Sequence, residues 1–114
     1  MLDFGCGTGT LMLRLSKLGK IDGFDLSNFA LEKAKISNPQ SKFFSAISQI
    51  DSKKYSAVVS IHVVEHLTPA ELTLAISSLR KSLKARGRIL LVTPQYDGFA
   101  HRRLKSNWDG FKDS

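Results

Sequence analysis

The segment Leu2-Asp3-Phe4-Gly5-Cys6-Gly7-Thr8-Gly9 holds the residues whose types and spacing have the clearest chemical use. Glycines at alternate positions after a short apolar stretch let the backbone turn sharply and approach a ligand with no Cβ in the way. One carboxylate, Asp3, precedes them, and a second, Asp25, lies in the next apolar run. An acidic residue about 20 residues beyond a glycine turn is suited to accept hydrogen bonds from free ribose hydroxyls. The pattern points to a small molecule carrying a nucleoside.

The segment His62-Val63-Val64-Glu65-His66 offers two imidazoles, the side chain most used in proton transfer, so His62 or His66 is a candidate general base toward a hydroxyl or amine. Its His-x-x-Glu-His spacing also matches an inverted zinc-protease motif, but that motif requires a helix and a third ligand from elsewhere. His62 reads as lying in a strand, and no metal site is expected. Cys6 reads as a small space-filler in the loop, since no neighbouring feature supplies an activating base.

The elements that must position these groups alternate between strand and helix. Apolar runs at 2–4, 21–26, 43–44, 57–64 and 88–93 read as strands, the fourth continuous and β-branched as a strand covered on both faces should be. Leu11, Met12, Leu15 and Leu18 follow helical spacing up to Gly19. Ser27 can cap a second helix that Asn38-Pro39 ends. Thr68-Pro69-Ala70-Glu71 is a capping box with proline at the first helical position, and the helix it starts is expected to run to Gly87. Such alternation implies a parallel sheet with helices on both faces, and ligands beyond the carboxyl ends of its strands. The glycine loop, Asp25, Ser45-Ala46 and Ile61-His62 all follow strands, so they should converge there.

Composition narrows the remaining possibilities. The 114 residues, 42% hydrophobic, suit one domain. No apolar run approaches the roughly 20 residues of a membrane span, and the start does not read as a signal peptide. A single cysteine allows no internal disulfide, which places the chain by default in a reducing cytoplasm. Seventeen Lys and Arg against ten Asp and Glu give a formal charge of +7, densest at 80–88 and 101–105. The tail brings Arg102, Arg103 and Lys105 together with Tyr96, Phe99 and Trp108, a mixture able to grip an anionic or aromatic substrate or single-stranded RNA.

In this order the motifs resemble the class I S-adenosylmethionine-dependent methyltransferases. Leu2 to Gly9 looks like their first motif, and Gly23-Phe24-Asp25-Leu26-Ser27 like the acidic end of strand two. Val59 to Leu67 resembles the strand-four segment ending in Glu-His-Leu, and Leu83 to Pro94 the approach to strand five. The resemblance implies a Rossmann-like three-layer α/β/α fold with a mainly parallel sheet. It implies S-adenosyl-L-methionine as cofactor, beside Asp3, Phe4, Gly5, Cys6, Gly7, Gly9, Asp25, Leu26, Ser45, Ala46, Ile61 and His62. Asp3 would serve the methionine ammonium or order the loop, and Asp25 would accept from both ribose hydroxyls. Ser45 and Ser56 stand where many relatives carry acidic residues, which weakens the expected adenine recognition. The relatives' sheet begins earlier and continues with two further strands, so the resemblance implies a partial domain, truncated before those strands. Residues 1–94 would form the cofactor-binding core and 95–114 a connector or substrate-side flap. The fifth strand would then present an edge open to self-association.

The function expected from this reading is methyl transfer to an oxygen, nitrogen or carbon of a small-molecule acceptor, with nucleic acid a lesser option. Two alternatives stand beside it. A nicotinamide-binding oxidoreductase domain would want Gly-x-Gly-x-x-Gly, and Thr10 occupies the third glycine's place. A truncated, non-catalytic cofactor-binding module is the other.

Overall fold

A computed structural model describes residues 1–61 and 63–93. The readings made for His62, and for the tail with Tyr96, Phe99, Arg102, Arg103, Lys105 and Trp108, lie outside the described residues. Strands β1 (Leu2–Phe4), β2 (Asp22–Phe24), β3 (Phe43–Phe44), β4 (Tyr55–Ile61) and β5 (Leu83–Val92) pair in parallel, in the order β3-β2-β1-β4-β5. The chain therefore steps outward from β1 to β3 and then returns to the other side of β1. The strand order thus reverses between β1 and β4, the point beyond whose carboxyl ends sheets of this kind bind their ligands.

Register decides which residues each face buries. Leu2, Phe4, Phe24, Phe44 and Val58 form one apolar cluster with Ala75 and Leu79 of helix α3 (Pro69–Ser82), and the Phe4 and Phe24 rings stack at 4.7 Å. On the opposite face, Cys6, Met12, Ile21 and Leu31 cluster with Phe43, joining helices α1 (Thr10–Leu15) and α2 (Asn28–Ser37) to the sheet. Two layers of helix thus enclose the strands, as expected for this fold class. No helix among the described residues is long and apolar enough to cross a membrane.

The predicted caps form. The Ser27 hydroxyl accepts the Ala30 amide at 3.1 Å, and Thr68 and Glu71 exchange backbone and side-chain bonds at 3.1 and 2.9 Å. Several boundaries differ. Helix α1 ends at Leu15, because Lys17 and Leu18 bond three residues back instead of four, and Leu18 is left exposed. Helix α3 ends at Ser82, not Gly87. The Lys53 and Lys54 amides take the Lys81 and Ser82 carbonyls at 2.9 and 2.8 Å, and Leu83 already pairs with Tyr55. Strand pairing there overrides helical periodicity, and the irregularity it leaves is met by Arg86 in left-handed backbone (φ 67°). Strand β4 ends at Ile61 instead of 64, where its pairing with Val92 stops and Val63 turns toward the glycine loop.

Candidate functional site

Phe4 and Phe24 pair at the carboxyl ends of β1 and β2, so the two chains leave the sheet side by side. The β1 chain then turns over its neighbour: the Gly5 and Cys6 amides both donate to the Phe24 carbonyl, at 2.7 and 2.9 Å. The turn requires left-handed backbone at Gly5 (φ 90°), Gly7 (φ 55°) and Gly9 (φ 86°), which costs a residue bearing a Cβ about 1–2 kcal/mol each. At Gly5 a Cβ would also collide with the Val63 side chain, whereas at Gly7 the space is open.

Asp25 follows β2 directly, and its amide donates to the Phe44 carbonyl at 3.1 Å, tying it to the end of β3. Its side chain reaches back over the loop. One carboxylate oxygen accepts the Gly7 amide at 2.9 Å and the other the Ser27 amide at 2.9 Å. The group is half-buried, and each oxygen has capacity for a further hydrogen bond. Two main-chain donors therefore fix a carboxylate in one orientation while leaving it able to accept a pair of hydroxyls.

Asp3 is only 2% exposed. Burial, reinforced by the negative charge of Asp25, raises its carboxyl from the ordinary 3.8 to about 6. Two carboxylates beside one glycine turn favour a cation there. The Cys6 thiol is the reverse of a nucleophile. Burial, with the charges of Asp3 and Asp25 adding to it, pushes it up to about 12, and it packs among apolar neighbours. The side chain of Phe4 thus belongs to the core, and that of Cys6 is buried there too while its thiol donates to the Gly7 carbonyl at 3.6 Å, inside the loop.

The remaining predicted positions fall around this centre. Leu26 is exposed beside Asp25. Ser45 and Ala46 follow β3, and both their amides donate to the Gln49 side-chain oxygen, at 2.9 and 3.2 Å. Asp3 pairs with Val59, which puts Ile61 two residues further along, at the carboxyl end of β4. His66 is exposed and closes a single 3-10 turn, Val64–His66, its amide donating to the Val63 carbonyl at 3.0 Å. Sequence reasoning missed three contributors: Val63 against Gly5, Gln49 beneath Ser45 and Ala46, and Asn38, whose side chain reaches Gly9. For Gln49 there was a usable signal, a side chain three residues past an extended one, as in a capping box.

The sequence profile of a methyltransferase domain matches residues 2–89. The solved structure of the PH0226 protein from Pyrococcus horikoshii OT3 is 23% identical, with a TM-score of 0.75 over 96% of this chain and 52% of its own. A TehB-like SAM-dependent methyltransferase from Corynebacterium glutamicum is 29% identical, with a TM-score of 0.70 over 79% of this chain and 52% of its own. DesVI from Streptomyces venezuelae is 28% identical, with a TM-score of 0.74 over 85% of this chain and 44% of its own. No curated protein matches the chain in sequence. The chain belongs to the methyltransferase domain family. It spans about half the length of the solved structures it matches.

Proposed function

We propose that the chain binds S-adenosyl-L-methionine across the carboxyl ends of β1, β2 and β4, in a protein that transfers the activated methyl group to an oxygen, nitrogen or carbon of a small-molecule acceptor. The observation that carries this reading is the Asp25 carboxylate, held by the Gly7 and Ser27 amides directly over the glycine turn. Ribose hydroxyls donating to it would make charge-assisted bonds. The open side of Gly7 leaves room for the ligand, and the buried Asp3 carboxylate would oppose the ammonium or sulfonium charge. The likeness to a SAM-dependent methyltransferase from Corynebacterium glutamicum supports the same cofactor.

When bound, the cofactor supplies a methyl group on a positively charged sulfur. The protein's share is then mainly placement of the acceptor in line with that bond, worth several orders of magnitude in rate. Leu26, Ser45, Ala46 and Ile61 would line the cofactor, and His62 or His66 would be the candidate base toward the acceptor. The nicotinamide alternative is disfavoured by Thr10, which begins α1 where a dinucleotide loop has its third glycine.

Calorimetric titration tests the reading. S-adenosylmethionine should bind, NAD should not, and Asp25→Ala should raise the cofactor Kd about 100-fold, the loss of two charge-assisted bonds. Equal affinity in that variant, or tighter binding of NAD, overturns it. Transfer of a labelled methyl group across an acceptor panel separates an enzyme from a binding module, which would bind without turnover.

A further inference from the structure

Asn38 stands immediately after the last residue of α2 and is 6% exposed, so its amide is committed to internal partners. Its Nδ2 donates to the Gly9 carbonyl at 3.1 Å and to the Ala34 carbonyl at 3.2 Å. Its own backbone amide also donates to Ala34, at 2.9 Å. Gly9 closes the glycine loop: its amide donates to the Cys6 carbonyl at 3.0 Å, and its carbonyl accepts the Leu13 amide at 3.1 Å, beginning α1. Glycine has no side chain with which to cap α1, and no side-chain cap is made there. The fit is close, since a Cβ on Gly9 would lie 2.6 Å from Asn38 Nδ2 and 3.1 Å from the Ala34 Cα.

We propose that Asn38 is a positioning residue for the cofactor loop. Acting through Gly9 and without touching the ligand, it ties the end of the loop and the start of α1 to the end of α2. Gly7, whose amide orients Asp25, lies two residues before this anchor. Loss of the Asn38 donor leaves the Gly9 carbonyl with only its Leu13 bond, and the loop gains freedom to move away from α2. The effect on binding rests on the proposed function above, whereas the effect on the loop does not.

The test compares Asn38→Ala and Asn38→Ser with Leu31→Ala in the full chain. Leu31 is buried in the same helix against Met12 and Ile21, so its truncation loosens that helix without removing a bond to Gly9. Hydrogen exchange at the Gly9 and Leu13 amides should accelerate about tenfold more in either Asn38 variant than in Leu31→Ala, the scale of one lost hydrogen bond. The S-adenosylmethionine Kd should rise about tenfold in the Asn38 variants and stay near wild type in Leu31→Ala. Asn38→Ser, shorter but polar, serves if the alanine variant does not fold. Unchanged exchange at Gly9 and Leu13, or a Kd no weaker than in Leu31→Ala, overturns the assignment. A wild-type chain with no affinity for the cofactor defeats the functional reading instead, and the exchange result alone then decides the role of Asn38.

Discussion

Asp3 makes stability depend on pH in a direction opposite to that of most carboxylates. Its carboxyl is raised from 3.8 to about 6, first by burial and then by Asp25, so the folded chain holds a proton that the unfolded chain has lost. The stabilising effect of that proton is complete below about pH 4 and disappears as pH rises through 6. At about 1.4 kcal/mol per tenfold change in proton affinity, the shift amounts to about 3 kcal/mol of stability lost by pH 7. Asp3→Asn keeps the size of the side chain and removes the ionisation. Urea unfolding of both chains at pH 4 and pH 7.5 measures the difference. Because the unfolded carboxyl is already more than half ionised at pH 4, the variant should gain on the wild type by about 2 kcal/mol between the two pH values. Parallel stability curves would refute the reasoning, because they would mean that Asp3 titrates alike in both states. A cation beside Asp3 should also release its proton, so cofactor binding near pH 5.5 should be accompanied by proton release that Asp3→Asn abolishes, seen as a loss of buffer dependence in the binding heat.

Other expectations follow from individual contacts. Gly5→Ala combines left-handed backbone with a collision against Val63 and should cost about 3 kcal/mol or more, whereas Gly7→Ala has open space and should cost only about 1–2 kcal/mol in denaturant unfolding. On the proposed reading Gly7→Ala should also weaken cofactor affinity, since its Cβ would enter the open space beside the loop. Thr68→Ala removes the acceptor of the Glu71 amide and should lower stability by about 1 kcal/mol. Among the described residues β5 is the outer strand on its side of the sheet, so we expect concentration-dependent self-association in sedimentation, weakened by a proline at Leu90.

The sequence was legible wherever local chemistry decided the structure. Alternate glycines forced the turn, Ser27 and Thr68 capped the helices they precede, and the β-branched run at β4 lies inside the sheet. It was misleading where distant segments decided. Leu83 keeps the helical spacing of α3, yet pairing with Tyr55 and the capture of the Lys81 and Ser82 carbonyls by Lys53 and Lys54 draw the chain into a strand. Asn38 illustrates the same limit at the site. Next to Pro39 it reads as a helix stop, and its reach to Gly9, 29 positions away, depends on how α2 lies over the loop. Asp25 is the converse: its distance beyond the glycines, at the end of an apolar run, predicts that it meets the loop, and its carboxylate accepts the Gly7 amide.

The most direct measurement is a crystal structure of the chain grown with S-adenosylhomocysteine, the demethylated product of the proposed cofactor. The ribose hydroxyls should lie within hydrogen-bonding distance of the Asp25 carboxylate, with the amino-acid end against Gly5 to Gly9 and its ammonium toward Asp3. A ligand seated elsewhere on the sheet, or one whose ribose leaves Asp25 bonded only to Gly7 and Ser27, would contradict the assignment of this edge as the cofactor site.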